Sequence, residues 1–268
     1  MFKKYILLVS ILISFNAFSQ FKSIDTTIVI KNIKVEIVKP QNSIGNIVML
    51  PGWNFSRTDC CQKSDFCKKA LQQGYCLIMP EMGKSVYQWQ NFKETRKDWL
   101  QYPTMQWFIT EMIPYIQNNF QLLKKNQINY IYGISTGARG VALVALQSDL
   151  FLCGFALSGD YDQTLDTNDN LMKGYYGRWF QFKDRWKSID NPTTDLNKIK
   201  FSLILLHGEK DKIVPSWQSK YVYQKIKDNN QLKHQLILLK NAEHNYIFWD
   251  SQTDTIFKII NYIRKQIK

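Results

Sequence analysis

Residues 130–140 read YIYGISTGARG, an apolar run that leads into Ser135 with Gly133 two positions before it and Gly137 two positions after. The pattern G-x-S-x-G fixes only three positions. At about 7% usage for each residue, a chain of this length carries it by chance roughly one time in ten. Its meaning therefore depends on its setting. The run INYIYGI before Ser135 has the branched and aromatic content of a buried strand, and TGARGVALVALQSD after it has the apolar spacing and alanine content of a buried helix. A serine on a sharp strand-to-helix turn is exposed at the strand end, and flanking glycines relieve the crowding that such a turn creates. The same reasoning has Gly140, one turn further on, letting the helix approach the sheet.

Outward from this turn the same alternation recurs. TTIVI and KVEIV, joined by a short KN turn, read as an antiparallel pair. NIVMLPG, YCLIMP, INYIYGI, FLCGFALSG, FSLILLHG and HQLILLKNA read as buried strands. Helices are predicted over about 60–73, 104–121, 136–148, 216–228 and 252–267. This pattern predicts an α/β fold, a mostly parallel sheet of about eight strands with helices on both faces. Two connections, 81–103 and 160–199, are long and rich in aromatic residues, as in GYYGRWFQFKDRW. Loops at the carboxyl ends of parallel strands are where ligands bind in such sheets. These rings are expected mostly to pin the loops, with a few touching substrate.

The whole chain has 268 residues, 45% of them hydrophobic and 14% aromatic, which suits one folded α/β domain over residues 20–268 and excludes a disordered chain. MFKKYILLVSILISFNAFSQ has a basic start, a short apolar run and a small-residue site near Ser19. This layout predicts a signal peptide over residues 1–19 and an exported protein, periplasmic or extracellular, with no stable membrane span after cleavage. Removal of Lys3 and Lys4 takes two charges from the formal +13 and leaves a basic chain. Its lysines are scattered and form no basic, aromatic-interleaved platform, so no nucleic-acid partner is expected.

The five cysteines are Cys60, Cys61, Cys67, Cys76 and Cys153, too few and too scattered for a disulfide framework. Cys76 and Cys153 lie in apolar runs and read as small buried hydrophobes, while a disulfide using Cys60 or Cys61 stays open. CCQKSDFC has neither paired short spacing nor a nearby histidine, so no metal and no other cofactor is expected.

A nucleophilic serine needs a base, an acid that orients the base, and donors for the oxyanion. The chain has three histidines. His207 ends one predicted strand and His234 precedes another. His244, in NAEHNYIFWD, follows the last strand directly and is the candidate base. Asp211, in HGEKDKIVP, is the favoured acid, with Asp160 in LSGDYD as the alternative and Glu209 a weaker third. Backbone N–H groups of Thr136 and of Trp53, in PGWNF, are the candidate oxyanion donors.

With these residues assembled, the chain resembles the α/β-hydrolases and, more narrowly, the esterase D group of serine esterases. The resemblance is carried by YGISTGARGVALVALQSDLFLCGFALSGDYD, SVY at 85–87, HGEKDKIVP and EHNYIFWD. It implies Ser135 as nucleophile, Asp211 as acid and His244 as base, in the order Ser, Asp, His. The implied activity is hydrolysis of a small-molecule or glycan-linked carboxylic ester. Acyl transfer, peptide cleavage and non-catalytic glycan binding are the rival readings. Thr136 stands where the group often has methionine, and PGW replaces a histidine-containing oxyanion loop, so the acyl and alcohol groups do not carry over.

Overall fold

A computed structural model describes residues 24–99, 102–229 and 231–267. The predicted signal peptide, residues 1–19, lies outside the described residues. Eight strands form one sheet: β1 (Ile24–Ile30), β2 (Ile33–Lys39), β3 (Gly45–Leu50), β4 (Tyr75–Pro80), β5 (Asn129–Ile134), β6 (Cys153–Leu157), β7 (Ser202–Gly208) and β8 (Gln235–Leu239). Their spatial order is β1-β2-β4-β3-β5-β6-β7-β8. β1 pairs antiparallel with β2 and β2 with β4, and every other pairing is parallel.

The central strands are apolar on both sides because both sides are covered. Successive side chains of a strand point to opposite faces. Accordingly Val48, Leu50, Ile131, Ala156, Leu203 and Leu205 enter one core, and Ile47, Met49, Tyr130, Tyr132, Phe155 and Leu206 the other. The helices, in chain order, are α1 (Asp59–Lys63), α2 (Phe66–Gln72), α3 (Thr104–Trp107), α4 (Ile113–Phe120), α5 (Thr136–Gln147), α6 (Asn170–Tyr176), α7 (Lys183–Trp186), α8 (Trp217–Ile226), α9 (Tyr246–Ser251) and α10 (Thr253–Gln266). The first core is closed by α3, α4, α5 and α8, through Trp107, Ile116, Val141 and Val222. The second is closed by α2 and α10, through Phe66, Ala70, Ile256 and Phe257. No helix among the described residues is long and apolar enough to cross a membrane.

Two predicted helices are interrupted, each for a local reason. The span 60–73 divides into α1 and α2 at Ser64, whose backbone is extended. Cys61 and Cys67 form a disulfide across this break with Cα atoms 5.0 Å apart. Six residues of continuous helix would separate them by ~9 Å, so the bridge and an unbroken helix exclude one another. The span 104–121 continues from α3 to α4 through a π-helical turn at Phe108–Met112. Pro114 follows it and has no N–H to offer the carbonyl of Thr110, which lets the hydrogen-bond ladder change register there. Cys60, Cys76 and Cys153 are free and buried.

The long loops pack on each other. Val86, Trp99, Tyr175, Tyr176 and Trp186 form a third apolar cluster, against which Trp53 leans. Arg96 N–H donates to Gly174 O at 2.9 Å, and Thr95 Oγ1 donates to Tyr175 O at 3.0 Å. Arg185 pairs with Glu94. Most of these rings hold loop to loop, while Trp53 and Trp217 line a cavity at the strand ends.

Candidate active site

Ser135 connects β5 directly to α5 with φ 53° and ψ −125°. This is a sparsely populated conformation for a residue with a side chain, and strain of this kind persists where surrounding contacts over-determine it. Ser135 N–H donates to Leu157 O at 2.8 Å. A Cβ added to Gly133 would lie 2.3 Å from Gly137 O, and one added to Gly137 would lie 2.1 Å from Leu50 O. Both obstacles are backbone, so neither site admits a side chain without moving the turn. Gly140 differs from expectation, since the space its missing side chain leaves is taken by the Tyr87 ring rather than the sheet.

Ser135, Asp211 and His244 meet at the carboxyl end of the sheet. His244 Nε2 is 2.9 Å from Ser135 Oγ, and His244 Nδ1 is 2.7 Å from Asp211 Oδ2. Asp211 follows β7, and its other oxygen accepts from the N–H groups of Ile213 at 2.9 Å and Val214 at 2.8 Å. Burial pushes this carboxyl upward, but hydrogen bonds from His207, His244 and Val214 outweigh it and hold the pKa well below the ordinary carboxylate value. His244 precedes α9, whose first turn is capped by Asn245 accepting from Phe248 N–H at 3.0 Å. The Trp249 ring stands edge-on to the His244 imidazole with centroids 5.2 Å apart, and its indole donates to Ser158 Oγ at 3.1 Å. Cap and ring together fix the direction of the imidazole.

The other two histidines lie elsewhere. His234 Nδ1 accepts from Leu203 N–H at 3.0 Å, and burial brings its pKa down to about 4. His207 is fully buried behind Asp211, 3.3 Å from Oδ2. Glu209 pairs with Lys220 on the surface.

The loop after β3 comes up against Ser135, because a Cβ on Gly52 would sit 3.2 Å from Ser135 Cβ. Tyr87 OH donates to Pro51 O at 2.7 Å and anchors this loop. Trp53 and Thr136 line one cavity with Ser135. Neither backbone N–H makes a turn, loop or cap hydrogen bond to backbone among the described residues, which leaves both available as oxyanion donors.

Asp160 is in that cavity but not on the imidazole. Its Oδ2 faces Arg139 Nη1 at 3.7 Å, beyond hydrogen-bond range. Burial pushes its pKa up to about 6, with Arg139 opposing. Arg139, in the first turn of α5, is completely buried. Its Nε donates to Val86 O at 3.1 Å, and its Nη2 donates to Gln163 Oε1 and to Asp190 O. One guanidinium thus ties both long loops to the helix that carries Ser135. Neither Arg139 nor the ring of Trp249 stood out as a site residue in the sequence, because each acts through contacts far along the chain.

An eight-stranded, mostly parallel sheet with helices on both faces and a serine on a strained strand-to-helix turn defines an α/β-hydrolase. Within that class the chain belongs to the prolyl oligopeptidase family, whose sequence profile matches residues 67–268. A chloroplastic relative from Oryza sativa subsp. japonica, named "Probable glutamyl endopeptidase", is 30% identical over 143 residues, and an Arabidopsis thaliana protein of the same name matches to the same extent. That alignment takes in 50% of this chain and 14% of each relative. Among solved structures, a fluorophosphonate-binding serine hydrolase of Staphylococcus aureus superposes with a TM-score of 0.70 at 17% identity, over 90% of this chain and 98% of the other. An S-formylglutathione hydrolase from Agrobacterium tumefaciens gives 0.67 at 15% identity, over 84% and 88%. The acylaminoacyl peptidase of Pyrococcus horikoshii gives 0.64 at 16% identity, over 91% of this chain and 40% of the peptidase. The structures that share its fold are by name hydrolases and a peptidase.

Proposed function

We propose that the chain is an exported serine hydrolase that cleaves carboxylic esters through an acyl-enzyme on Ser135. The observation that carries this reading is the hydrogen-bonded line from Ser135 Oγ through His244 to Asp211, 2.9 Å and 2.7 Å long. His244 Nε2 removes the Ser135 proton as Oγ attacks the ester carbonyl. The carbonyl oxygen becomes an oxyanion held by the N–H groups of Thr136 and Trp53. Asp211 accepts from Nδ1–H, keeps the imidazole in the tautomer whose Nε2 is free to take the proton, and stabilises the imidazolium. Collapse of the tetrahedral intermediate expels the alcohol, which leaves with the proton from His244. Water then attacks the acyl-enzyme by the same route and frees Ser135. The cavity, about 390 Å³, suits a small ester or the end of a glycan-linked one. Export, to the periplasm or beyond, is supported by the signal-like residues 1–19 and by the Cys61–Cys67 disulfide, which an oxidising compartment favours.

A second reading, serine peptidase, is favoured by membership of the prolyl oligopeptidase family and by the names of the two plant relatives. The same three residues would serve it, so the scissile bond must be measured. A matched ester and anilide of one acyl group, given to the parent and to Ser135→Ala, separate the two. Ester turnover that exceeds anilide turnover by several orders of magnitude and vanishes in Ser135→Ala supports the first reading. Comparable rates on both support the second. Turnover unchanged in Ser135→Ala, or no fluorophosphonate labelling of the folded parent, would sink both.

A further inference from the structure

The cavity that contains Ser135 is negative inside a protein of formal charge +13. Asp160, Asp162, Asp166 and Asp169 line it, and among the described residues no lysine, arginine or histidine does. Three of these carboxylates have local duties. Asp162 Oδ1 accepts from Thr164 and Asn191, Asp166 Oδ1 accepts from Asn168 N–H, and Asp169 Oδ1 caps α6 by accepting from Met172 N–H. Asp160 has none. Its Oδ1 is buried without a hydrogen-bond partner, and Arg139 Nη1 beneath it likewise makes no hydrogen bond. Arg139 offsets only part of the cavity's charge, since its Nη1 stands 3.7 Å from Asp160 Oδ2 and three further aspartates line the cavity. Its remaining donors are committed to Val86, Gln163 and the Asp190 backbone. An under-satisfied carboxylate in a hydrolase cavity stays desolvated at a cost unless a ligand completes it.

We propose that Asp160 is a specificity determinant, its carboxylate, 21% exposed at the cavity wall, attracting an ammonium or guanidinium group on the part of the substrate that carries the scissile carbonyl. This rests on the hydrolase reading above and narrows it to cationic substrates. A cation at the exposed edge of this carboxylate gains a charge-assisted interaction, and the neighbouring aspartates add attraction in a partly enclosed, low-dielectric space. The same field repels carboxylate substrates, so a preference for glutamyl bonds does not suit this cavity. Trp217, Ile213 and Leu171 supply the apolar wall for the stem that bears the charge.

The cation can come from a basic side chain or from a free α-amino group, and two substrate pairs distinguish these sources. Nα-acetyl-lysine and Nα-acetyl-norleucine thiobenzyl esters test the side chain, and alanine against N-acetyl-alanine thiobenzyl ester tests the amine. In one pair the cationic member should have a kcat/KM higher by about tenfold or more, the scale of a hydrogen bond to a charged group. Asp160→Asn should bring that ratio toward one. The ratio is the quantity read, because loss of folded protein lowers both members alike. A measurement free of any variant accompanies it, in which benzylammonium slows fluorophosphonate labelling of the parent and benzyl alcohol at equal concentration does not. Ratios near one in both pairs, or a preference that survives Asp160→Asn, would overturn the proposal while neutral-ester turnover leaves the hydrolase reading standing. No turnover of the neutral esters together with no labelling would overturn both.

Discussion

His207 Nε2 lies 3.3 Å from Asp211 Oδ2, the same oxygen that His244 Nδ1 approaches at 2.7 Å. The buried imidazole also has Nε2 2.8 Å from Val214 O and Nδ1 2.7 Å from Ser219 Oγ. One neutral tautomer satisfies all of this, with Nε2–H shared between Val214 O and the carboxylate while Nδ1 accepts from the Ser219 hydroxyl. His207 is therefore placed to act on His244 through Asp211, as a positioning residue of the proposed site. Replacing it with phenylalanine should lower kcat/KM by roughly tenfold to a hundredfold, the worth of a hydrogen bond to a charged group. His207→Gln, whose amide can place a donor near the lost Nε2–H, should recover part of that loss. A purely structural role predicts no such rescue at equal thermal stability, which separates the two.

His207 illustrates why the site was only partly legible in the sequence. Ser135 and its glycines declare themselves because the strained turn is local, and His244 because only three histidines exist. The order of strands and helices was legible because both sheet faces are buried and the runs are correspondingly apolar. What stayed hidden depends on contacts distant in sequence. The order Ser, Asp, His favours Asp211 over Asp160 as the acid, but the loop after β7 that turns Asp211 onto the imidazole is not visible in that order. Helices α6 and α7 are too short to show a period and are held by the packing of two loops against each other, as in the Thr95–Tyr175 and Arg185–Glu94 contacts between residues 80 and 91 positions apart.

The turn itself can be tested without touching any reacting group. An alanine Cβ at Gly137 would be 2.1 Å from Leu50 O and 2.7 Å from Pro51 O, at the root of the loop that carries Trp53. Backbone cannot swing aside as a side-chain tip can, so Gly137→Ala should destabilise by about 1–3 kcal/mol. It should also lower kcat more than that loss explains, because any shift separates the Thr136 and Trp53 N–H groups. Denaturant unfolding beside steady-state kinetics on the folded fraction reads both effects. Unchanged kcat in a destabilised variant would refute the placing of the donors.

The Cys61–Cys67 bridge closes a short loop at the end of α1. By loop-closure entropy its removal should cost about 2 kcal/mol. Cys61→Ser with Cys67→Ser should therefore unfold at lower denaturant than the parent, and a reducing agent should bring the parent down to the double variant. Cys60, Cys76 and Cys153 are buried, and burial pushes the Cys60 thiol up to about 11 and the Cys76 thiol up to about 12, so neither supplies thiolate to reshuffle the bridge near neutral pH. Thiol counting with and without denaturant checks this, and rapid labelling of a native thiol would contradict it.

Asp190 should make stability depend on pH in the direction opposite to Asp211. It is 1% exposed, its Oδ1 accepts from Trp89 N–H and its Oδ2 has no partner. Burial pushes its pKa up to about 7, against smaller opposing effects of the Trp89 N–H, Arg139 and Tyr176. In the unfolded chain an aspartate titrates near ~3.9. Between these values the folded state keeps a proton that the unfolded state has released, so this group's contribution to stability falls as pH rises from about 4 to about 7. Asp190→Asn is neutral at every pH and can keep the bond from Trp89 N–H. The variant should match the parent near pH 4, where both side chains are uncharged in the folded state, and exceed it above pH 7 by an amount on the order of 4 kcal/mol. Asp211 has the opposite sign, since its depressed pKa stabilises the fold above ~3.9 and that contribution is lost only as pH falls further. Melting temperatures of parent and Asp190→Asn from pH 4.5 to pH 8 test the assignment. A difference that does not widen with pH would show that Asp190 stays ionised against Arg139 throughout.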